Sequence, residues 1–142
     1  MAGLSRMAPP GPGRTLAVAY AVFALAAGAR SIAQIATDFS EAPVPYALSA
    51  FAACVYLVLA LTIGRPEPGR RQVALAACLT ELVGVIAVGA WSVADPSAFA
   101  DETVWSEFGS GYLFLPLVLP CIGLAWLRNR ARAEGLSGRP GT

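Results

Sequence analysis

The chain has 142 residues, of which 56% are hydrophobic and 13% charged, and its net charge is +1. A water-soluble domain of this size could not cover so much apolar surface, so the composition predicts an integral membrane protein whose first partner is the lipid bilayer. The chain has no histidine and its three cysteines lie in three different apolar segments, so we expect no haem, no metal site and no other cofactor.

Four apolar segments follow the first 13 residues, which are rich in proline and glycine and predict a disordered cytoplasmic tail. Each segment is close to the roughly 20 helical residues that cross a hydrocarbon core. They cover residues 15–37, 45–63, 72–94 and 111–127. We predict one transmembrane domain over residues 14–130, folded as an all-α bundle of four transmembrane helices, and a disordered cytoplasmic tail over residues 131–142.

The first segment also has features of a cleaved signal peptide. Residues 1–29 have a basic start, an apolar stretch and the small residues Ala27, Gly28 and Ala29 at the end. Cleavage would leave three spans. Apolar, helix-compatible sequence continues through "SIAQIA" at residues 31–36, so we predict an intact first helix.

The arginines predict the orientation. All ten basic residues are arginine, and nine of them lie in the two tails and in the middle loop "GRPEPGRR". By the positive-inside rule, both termini and this loop are cytoplasmic. The other two loops face outward and contain six acids, which either gather a divalent cation or simply complete the topology. We favour the second reading for these acids: Asp38, Glu41, Asp95, Asp101, Glu102 and Glu107.

The second outer loop predicts a short interfacial helix over about residues 97–108. Ser97 is a suitable N-cap, acidic residues follow it, and Gly109 or Gly111 would end the helix. The aromatic residues near the predicted surfaces form belts at the two membrane interfaces. We place Tyr46, Trp91, Trp105 and Tyr112 in the outer belt and Trp126 in the inner one.

Two charged residues lie inside predicted spans: Arg30 in the first and Glu81 in the third. Each costs about 2.5–3.5 kcal/mol at the centre of a membrane helix, so both should face protein or water. At about 100° per residue, Glu81 shares a face with small residues, opposite a leucine-rich face. That inward face holds Ala74, Ala77, Cys78, Glu81, Gly84, Val88 and Ser92, and the lipid face holds Leu75, Leu79, Leu82 and Ile86.

Whether Arg30 and Glu81 pair is left open by the sequence, although we favour no direct contact. Counted from the outer ends of their helices, they differ in depth by roughly 9 Å. Without a cation beside it, we expect Glu81 to be protonated. Gln34 and Asp38 follow Arg30 at spacings of four and eight residues, which extends a polar stripe to the outer surface.

Two prolines interrupt the fourth segment. Pro116 frees the carbonyl of Tyr112 and Pro120 frees that of Pro116, which predicts a kinked helix. The freed carbonyls either accept hydrogen bonds from Arg30 in a polar pocket or belong to a kink that only shapes packing. The candidate pocket residues are Arg30, Gln34, Ser49, Tyr56, Glu81, Pro116 and Pro120.

A stripe of small residues lies on the first segment, on a face roughly opposite Arg30. If Arg30 points inward, this stripe faces outward and could contact another subunit, although alanine is common throughout the chain. The stripe consists of Ala17, Ala21, Ala24 and Gly28.

Two stretches carry a resemblance to a known group of proteins. They are "FALAAGARSIAQIATDFSEAPVPYALSAFAACVYLVLAL" and "DETVWSEFGSGYLFLPLVLPCIGLAWLR". The chain resembles small, uncharacterised four-transmembrane-helix integral membrane proteins of high-GC actinobacteria. The resemblance implies a four-helix bundle in a bacterial plasma membrane, and it implies no activity.

These patterns predict a non-enzymatic accessory or assembly subunit, as a homo-oligomer or within a larger membrane complex. The alternative is a small binding or transport protein with an intramembrane polar pocket around Arg30 for a lipid headgroup, a quinone-like molecule or an anion. An enzyme is least expected, because the sequence shows no nucleophile with an adjacent base and hence no catalytic residue. We expect no nucleic-acid partner.

Overall fold

The computed structural model describes residues 11–65 and 67–137. These residues form helices and turns, with no β-strand among them, and the predicted all-α fold is confirmed for this part of the chain. Over the described ranges there are four long α-helices: α1 Pro12–Asp38, α2 Pro43–Thr62, α3 Pro68–Ala94 and α4 Leu115–Ser137.

Three of these helices are long and apolar enough to cross a membrane. They are α1 with the short turn after it, α2 and α3, with mean hydropathies of 1.7, 2.1 and 2.2. A fourth span exists if α4 is taken together with the turn Ser106–Tyr112, from which it is bent by 95°. This helix content is consistent with a polytopic membrane protein.

Several helix ends differ from the predicted ones, and a proline lies at some of them. α1 and α3 each begin at a proline, Pro12 and Pro68, because the first turn of a helix needs no donor from that residue. α4 continues to Ser137, so residues 131–137 are helical and not part of a disordered tail. The remaining tail predictions, for residues 1–10 and 138–142, lie outside the described residues.

α1 and α2 pack side by side through small residues. A Cβ atom built on Gly64 would lie 3.2 Å from the carbonyl oxygen of Gly13 and 3.8 Å from Ala17 Cβ. Farther along, a Cβ atom on Gly28 would lie 4.0 Å from Ala53 Cβ. The small-residue stripe of α1 therefore runs beside α2, and its residues are only partly buried there. Its predicted contact with another subunit stays a prediction.

Burial follows the predicted faces on α3. Of the predicted inward residues, Ala74, Cys78, Glu81, Val88 and Ser92 are buried. Leu79 and Ile86, on the predicted lipid face, are about half exposed, at 52% and 49%. Large apolar side chains also cover the outside of α1, which is the arrangement that a hydrocarbon solvent favours.

We call the end of the bundle that holds Gly13, Gly64 and Trp126 the proximal end. Trp126 packs against the start of α1 there, since a Cβ atom on Gly13 would lie 2.5 Å from its ring. The opposite end, where α1 stops and α2 starts, is the distal end. Because α4 runs toward the proximal end, both described chain ends lie there.

The connection between α3 and α4 is not the predicted interfacial helix. Two short 3-10 turns occur at Pro96–Ala98 and Ser106–Tyr112, and residues 99–105 between them are not helical. The four residues from Thr103 to Ser106 are buried. Trp105, predicted for the outer aromatic belt, is only 1% exposed.

This connection enters the bundle from the distal end. The Trp105 ring lies against Gly84, where a Cβ atom would be 2.6 Å away, and the Phe108 ring lies against Gly89, where it would be 2.4 Å away. Gly84 is ten residues from the end of α3, or about 15 Å along the helix. We call residues 99–112 the re-entrant segment, and Trp105 is its deepest aromatic side chain.

Hydrogen bonds satisfy the backbone of the re-entrant segment where water is excluded. The Thr103 N–H donates to Ser106 Oγ at 2.8 Å, and the Trp105 N–H donates to Thr103 Oγ1 at 3.1 Å. The Glu107 N–H donates to Ser92 Oγ on α3, also at 2.8 Å. A non-helical chain inside a bundle requires such partners, because unpaired amides are costly there.

Left-handed backbone turns the chain from the re-entrant segment into α4. Glu107, Phe108 and Gly109 have φ of 51°, 60° and 82°, and Leu113 and Phe114 have φ of 58° and 59°. Such φ values cost a non-glycine residue roughly 1–3 kcal/mol, and they persist only where packing holds the residue in place. Phe108 is held by its contact with Gly89.

The sequence predicts a helix kinked by Pro116 and Pro120, but the 95° bend of this span lies before α4. The break precedes α4, and Pro116 lies in the first turn, where its missing N–H removes no helical bond. Its ring lies so close to Gly109 that a Cβ atom there would be 2.9 Å away. Pro120 is inside the helix and frees the Pro116 carbonyl, and both prolines are fully buried.

Replacing Gly84 by alanine tests the position of Trp105. The new Cβ atom would lie 2.6 Å from the indole ring, so the ring must move away from α3. We expect the free energy of unfolding to fall by about 1–3 kcal/mol, measured by circular dichroism in detergent micelles with added denaturant.

Gly69→Ala is the matched control, because it makes the same change in the same helix at a site with nothing within 4 Å. There the methyl group should leave stability unchanged or raise it by up to about 1 kcal/mol, since alanine favours a helix over glycine. Equal losses in the two variants would contradict the insertion of Trp105.

Candidate functional site

Glu81 is the middle residue of α3 and is completely buried. The Tyr20 hydroxyl on α1 donates a hydrogen bond to Glu81 Oε2 at 2.8 Å. The second carboxyl oxygen, Oε1, has no hydrogen-bond partner among the described residues. A single hydrogen bond therefore holds the one acidic side chain at the centre of this helix.

Tyr56 and Trp105 complete the surroundings of Glu81. The Trp105 Nε1–H donates to the Tyr56 hydroxyl at 2.8 Å, and both side chains are fully buried. The rings of Tyr20 and Tyr56 lie 6.0 Å apart, and those of Tyr56 and Trp105 lie 6.3 Å apart in an edge-on arrangement. We call Tyr20, Tyr56, Glu81 and Trp105 the buried centre, where α1, α2, α3 and the re-entrant segment meet.

α4 is the fifth element that packs around the buried centre. A Cβ atom built on Gly123 would lie 3.0 Å from Cys78 Sγ and 3.9 Å from the Tyr20 hydroxyl. Only a residue without a side chain lets the two helices approach this closely. Cys78 is buried beside Glu81 on α3, as small packing residues are.

A second set of polar residues lies at the distal end and converges on Asp101. Arg30 Nη2 forms an ion pair with Asp101 Oδ1 at 3.5 Å. Gln34 Nε2 and the Tyr46 hydroxyl donate to Asp101 Oδ2 at 3.3 Å and 3.1 Å. Arg30 Nη1 also donates to the Tyr112 hydroxyl at 3.4 Å. We call these five residues the distal cluster.

Arg30 and Glu81 do not pair with each other, since each has a different partner. Tyr20, which binds Glu81, precedes Arg30 by ten residues on α1, or about 15 Å along the helix. Arg30 instead pairs with Asp101, one of the six acids predicted only to complete the topology. The prediction for Asp101 is wrong, because this carboxylate binds side chains from both α1 and α2.

The predicted polar pocket is divided between two places. Arg30 and Gln34 belong to the distal cluster, whereas Tyr56 and Glu81 belong to the buried centre. Ser49 is buried on α2 and has no hydrogen bond to either set among the described residues. The described hydrogen bonds of Arg30 go to side chains and not to the carbonyls near Pro116 and Pro120.

Phe23 fills the space between the two clusters. Its ring lies 5.5 Å from that of Tyr56 and 5.9 Å from that of Tyr112. A column of aromatic rings therefore connects the buried centre to the distal cluster. Such packing separates the acid of one cluster from the ion pair of the other by an apolar layer.

Five residues of these clusters are not among the predicted site residues: Tyr20, Tyr46, Asp101, Trp105 and Tyr112. The sequence predicts Tyr46 and Tyr112 only for the outer aromatic belt. Tyr20 had a signal, since it lies fourteen residues before Gln34 and so continues the same polar stripe of α1 inward. Trp105 had a weaker one, because Thr103 and Ser106 beside it can satisfy backbone groups of a tight turn. Asp101 had none that distinguished it from its neighbouring acids.

Some polar atoms near the distal cluster remain without partners. Ser31 Oγ and Gln34 Oε1 are buried and accept no hydrogen bond within the described part of the chain. Over residues 11–65 and 67–137, no three cysteine, aspartate or glutamate side chains gather closely enough to share a metal ion. The distal cluster is therefore organised around one ion pair.

Comparison of the chain with protein-family models, with curated proteins and with solved structures finds no match. The resemblance to four-span actinobacterial membrane proteins stays a prediction, and the function must be argued from the residues themselves.

Replacing Tyr20 by phenylalanine tests the buried centre. The change removes the single hydrogen bond to Glu81 and keeps the ring, so a buried carboxyl loses its partner. We expect the free energy of unfolding to fall by about 1–3 kcal/mol, measured by denaturant unfolding in micelles.

The same change in a Glu81→Leu background provides the control. There the Tyr20 hydroxyl has lost its acceptor, so its removal should leave stability unchanged or raise it. A loss of the same size in both backgrounds would show that Tyr20 contributes through packing alone and would contradict the hydrogen bond as its main role.

Replacing Asp101 by alanine tests the distal cluster. The change removes contacts to Arg30, Gln34 and Tyr46 at once. Because the ion pair is partly exposed, the effect on global stability should be at most about 1 kcal/mol. Amide hydrogen exchange in residues 99–112 should nevertheless become about tenfold faster, as the loss of one or two net hydrogen bonds implies.

Glu102→Ala is the control for this measurement, since it removes the neighbouring acid, which is exposed. We expect its exchange rates to match those of the unmodified protein. If both variants exchange alike, Asp101 does not anchor the re-entrant segment.

Proposed function

We propose that the chain is a non-enzymatic accessory or assembly subunit of a bacterial plasma membrane. One observation supports this more than any other. Arg30, Tyr56 and Glu81 are each bonded to a neighbouring side chain of the bundle, whereas an open groove of small apolar residues lies on its outside. A closed interior and an open apolar groove suit a protein that binds other helices.

The groove lies between α1 and α2 and has a volume of about 550 Å³. Its small residues would let the backbone of a partner helix approach closely, which is the usual basis of helix association in membranes. We propose that the partner is a helix of a second copy of this chain. The small residues of the groove include Ala21, Ala24, Gly28, Ala53, Cys54 and Ala60.

The arginine distribution supports an orientation with both termini in the cytoplasm. The middle loop and the ends of α1 and α4 carry the described arginines other than Arg30, and these elements lie at the proximal end. The acids of the two other connections lie at the distal end. By the positive-inside rule we assign the proximal end to the cytoplasm and the re-entrant segment to the outer half of the membrane.

A small-molecule binding role at Arg30 is the second candidate. The observation in its favour is that Ser31 Oγ and Gln34 Oε1 are buried there and have no hydrogen-bond partner among the described residues. A lipid headgroup or an anion would have to compete with Asp101 for Arg30, because the guanidinium is already paired. We therefore rank this role below assembly.

Cysteine crosslinking tests the assembly role, because Cys54 lines the groove and Cys121 is exposed on α4 away from it. A Cys121→Ser variant leaves Cys54 as the exposed cysteine of the described residues, and Cys54→Ser leaves Cys121. Oxidation in native membranes should link two chains through Cys54 and not through Cys121. A product of another mass would identify a different partner protein, and no product at Cys54 would contradict association at this groove.

Ala24→Leu and Ala26→Leu form a matched pair on α1. Ala24 lines the groove, whereas Ala26 is exposed outside it. We expect Ala24→Leu to reduce the Cys54 crosslink about fivefold or more, the effect of about 1 kcal/mol on an equilibrium. Ala26→Leu should leave the crosslink unchanged.

A further inference from the structure

A second groove, between α3 and α4, differs from the first in its chemistry. It lies toward the proximal end and has a volume of about 520 Å³, within the roughly 300–1,000 Å³ range of small-molecule sites. Three leucines form its apolar part and two arginines its polar part. The lining residues are Leu75, Leu124, Leu127, Arg128, Ala131 and Arg132.

The two arginines are available for a ligand. Arg128 and Arg132 are exposed, and neither has an ion-pair partner in the part of the chain that the structure describes. Arg130, on the same helix, lies instead over the Trp126 ring at 5.1 Å. No acid among the side chains that the structure describes lines the groove, and its described polar part carries two positive charges.

The order of residues along α4 matches the shape of a phospholipid. Leu124 and Leu127 come first, toward the middle of the bundle, and Arg128 and Arg132 follow toward the helix end. Arg128 and Arg132 are four residues apart, so they lie on one face of the helix. Leu124 and Arg132 are separated by about 12 Å along the axis, which places the charges beyond the apolar wall.

We infer that this groove binds one anionic phospholipid of the leaflet on the proximal side. The phosphate accepts hydrogen bonds from the Arg128 and Arg132 guanidinium groups, which suit phosphate oxygens. An acyl chain lies against Leu75 and Leu124. A zwitterionic lipid fits less well, because its cationic group meets two arginines and none of the acids whose side chains the structure describes. The inference concerns a different face from the assembly groove and does not depend on it.

Native mass spectrometry of the full chain tests this inference. The protein is extracted from bilayers that contain phosphatidylglycerol and phosphatidylcholine with the same acyl chains in equal amounts. We expect one phosphatidylglycerol per chain to be retained in preference to phosphatidylcholine. Arg128→Gln with Arg132→Gln should reduce that retention about tenfold or more.

Arg65→Gln with Arg70→Gln is the charge-matched control, because it removes two exposed arginines from the same end of the bundle outside this groove. It should leave the retained lipid unchanged. Equal losses in the two double variants would overturn the site and leave only a general attraction of the basic surface. Equal retention of the two lipids by the unmodified protein would overturn it as well.

Ala131→Trp and Ala133→Trp test whether the lipid occupies the groove itself or is only attracted by the two arginines. Both residues are exposed on α4, but only Ala131 lines the groove. A tryptophan at residue 131 should displace the lipid while both arginines remain, and one at residue 133 should not. Unaltered retention in Ala131→Trp would overturn the inference. A bound peptide or protein in place of the lipid in the unmodified protein would overturn it as well. Circular dichroism of each variant establishes that it is folded.

Discussion

The hydrogen bond from Trp105 to Tyr56 is the contact on which the rest of the bundle depends. It joins the re-entrant segment to α2 at a depth where neither group could bond to water, and the bare surface of Gly84 makes room for the ring. With Trp105 in place, Glu81 is sealed from the distal side. The same insertion carries Asp101 to Arg30. The re-entrant segment therefore both fills the interior beside Tyr56 and supplies the carboxylate that pairs with Arg30.

The two charged residues inside the helices are accommodated in different ways. Arg30 lies near a helix end and is matched by a carboxylate from another segment, at a partly exposed position where ion pairs contribute little to stability. Glu81 lies in the middle of its helix and has only the Tyr20 hydroxyl for a partner. Burial of an ionised carboxylate there would cost several kcal/mol. The protonated form expected from the sequence suits this setting, and it stays a prediction.

The features that local patterns control could be predicted from the sequence, and those decided by distant contacts could not. The four apolar segments and the inward face around Glu81 follow from hydropathy and from a spacing of three to four residues. The stretch around Trp105 has the local pattern of an amphipathic surface helix. Its burial depends on contacts with Gly84 and Gly89 on α3, which that pattern does not show. The start of α4 depends on left-handed residues at 113 and 114, which no local preference indicates. Asp101 became a partner of Arg30 only because the segment that carries it folds inward.

The position of the re-entrant segment in the chain also fixes an order of assembly. Tyr56, Gly84 and Gly89, which receive Trp105 and Phe108, all precede them in the sequence. During synthesis the first three helices are therefore complete before their inserted aromatic side chains exist. Until Trp105 and Phe108 have inserted, their positions on α3 are unfilled and the Tyr56 hydroxyl lacks its donor. The last third of the chain thus completes the interior of a scaffold whose three helices all precede it in the sequence.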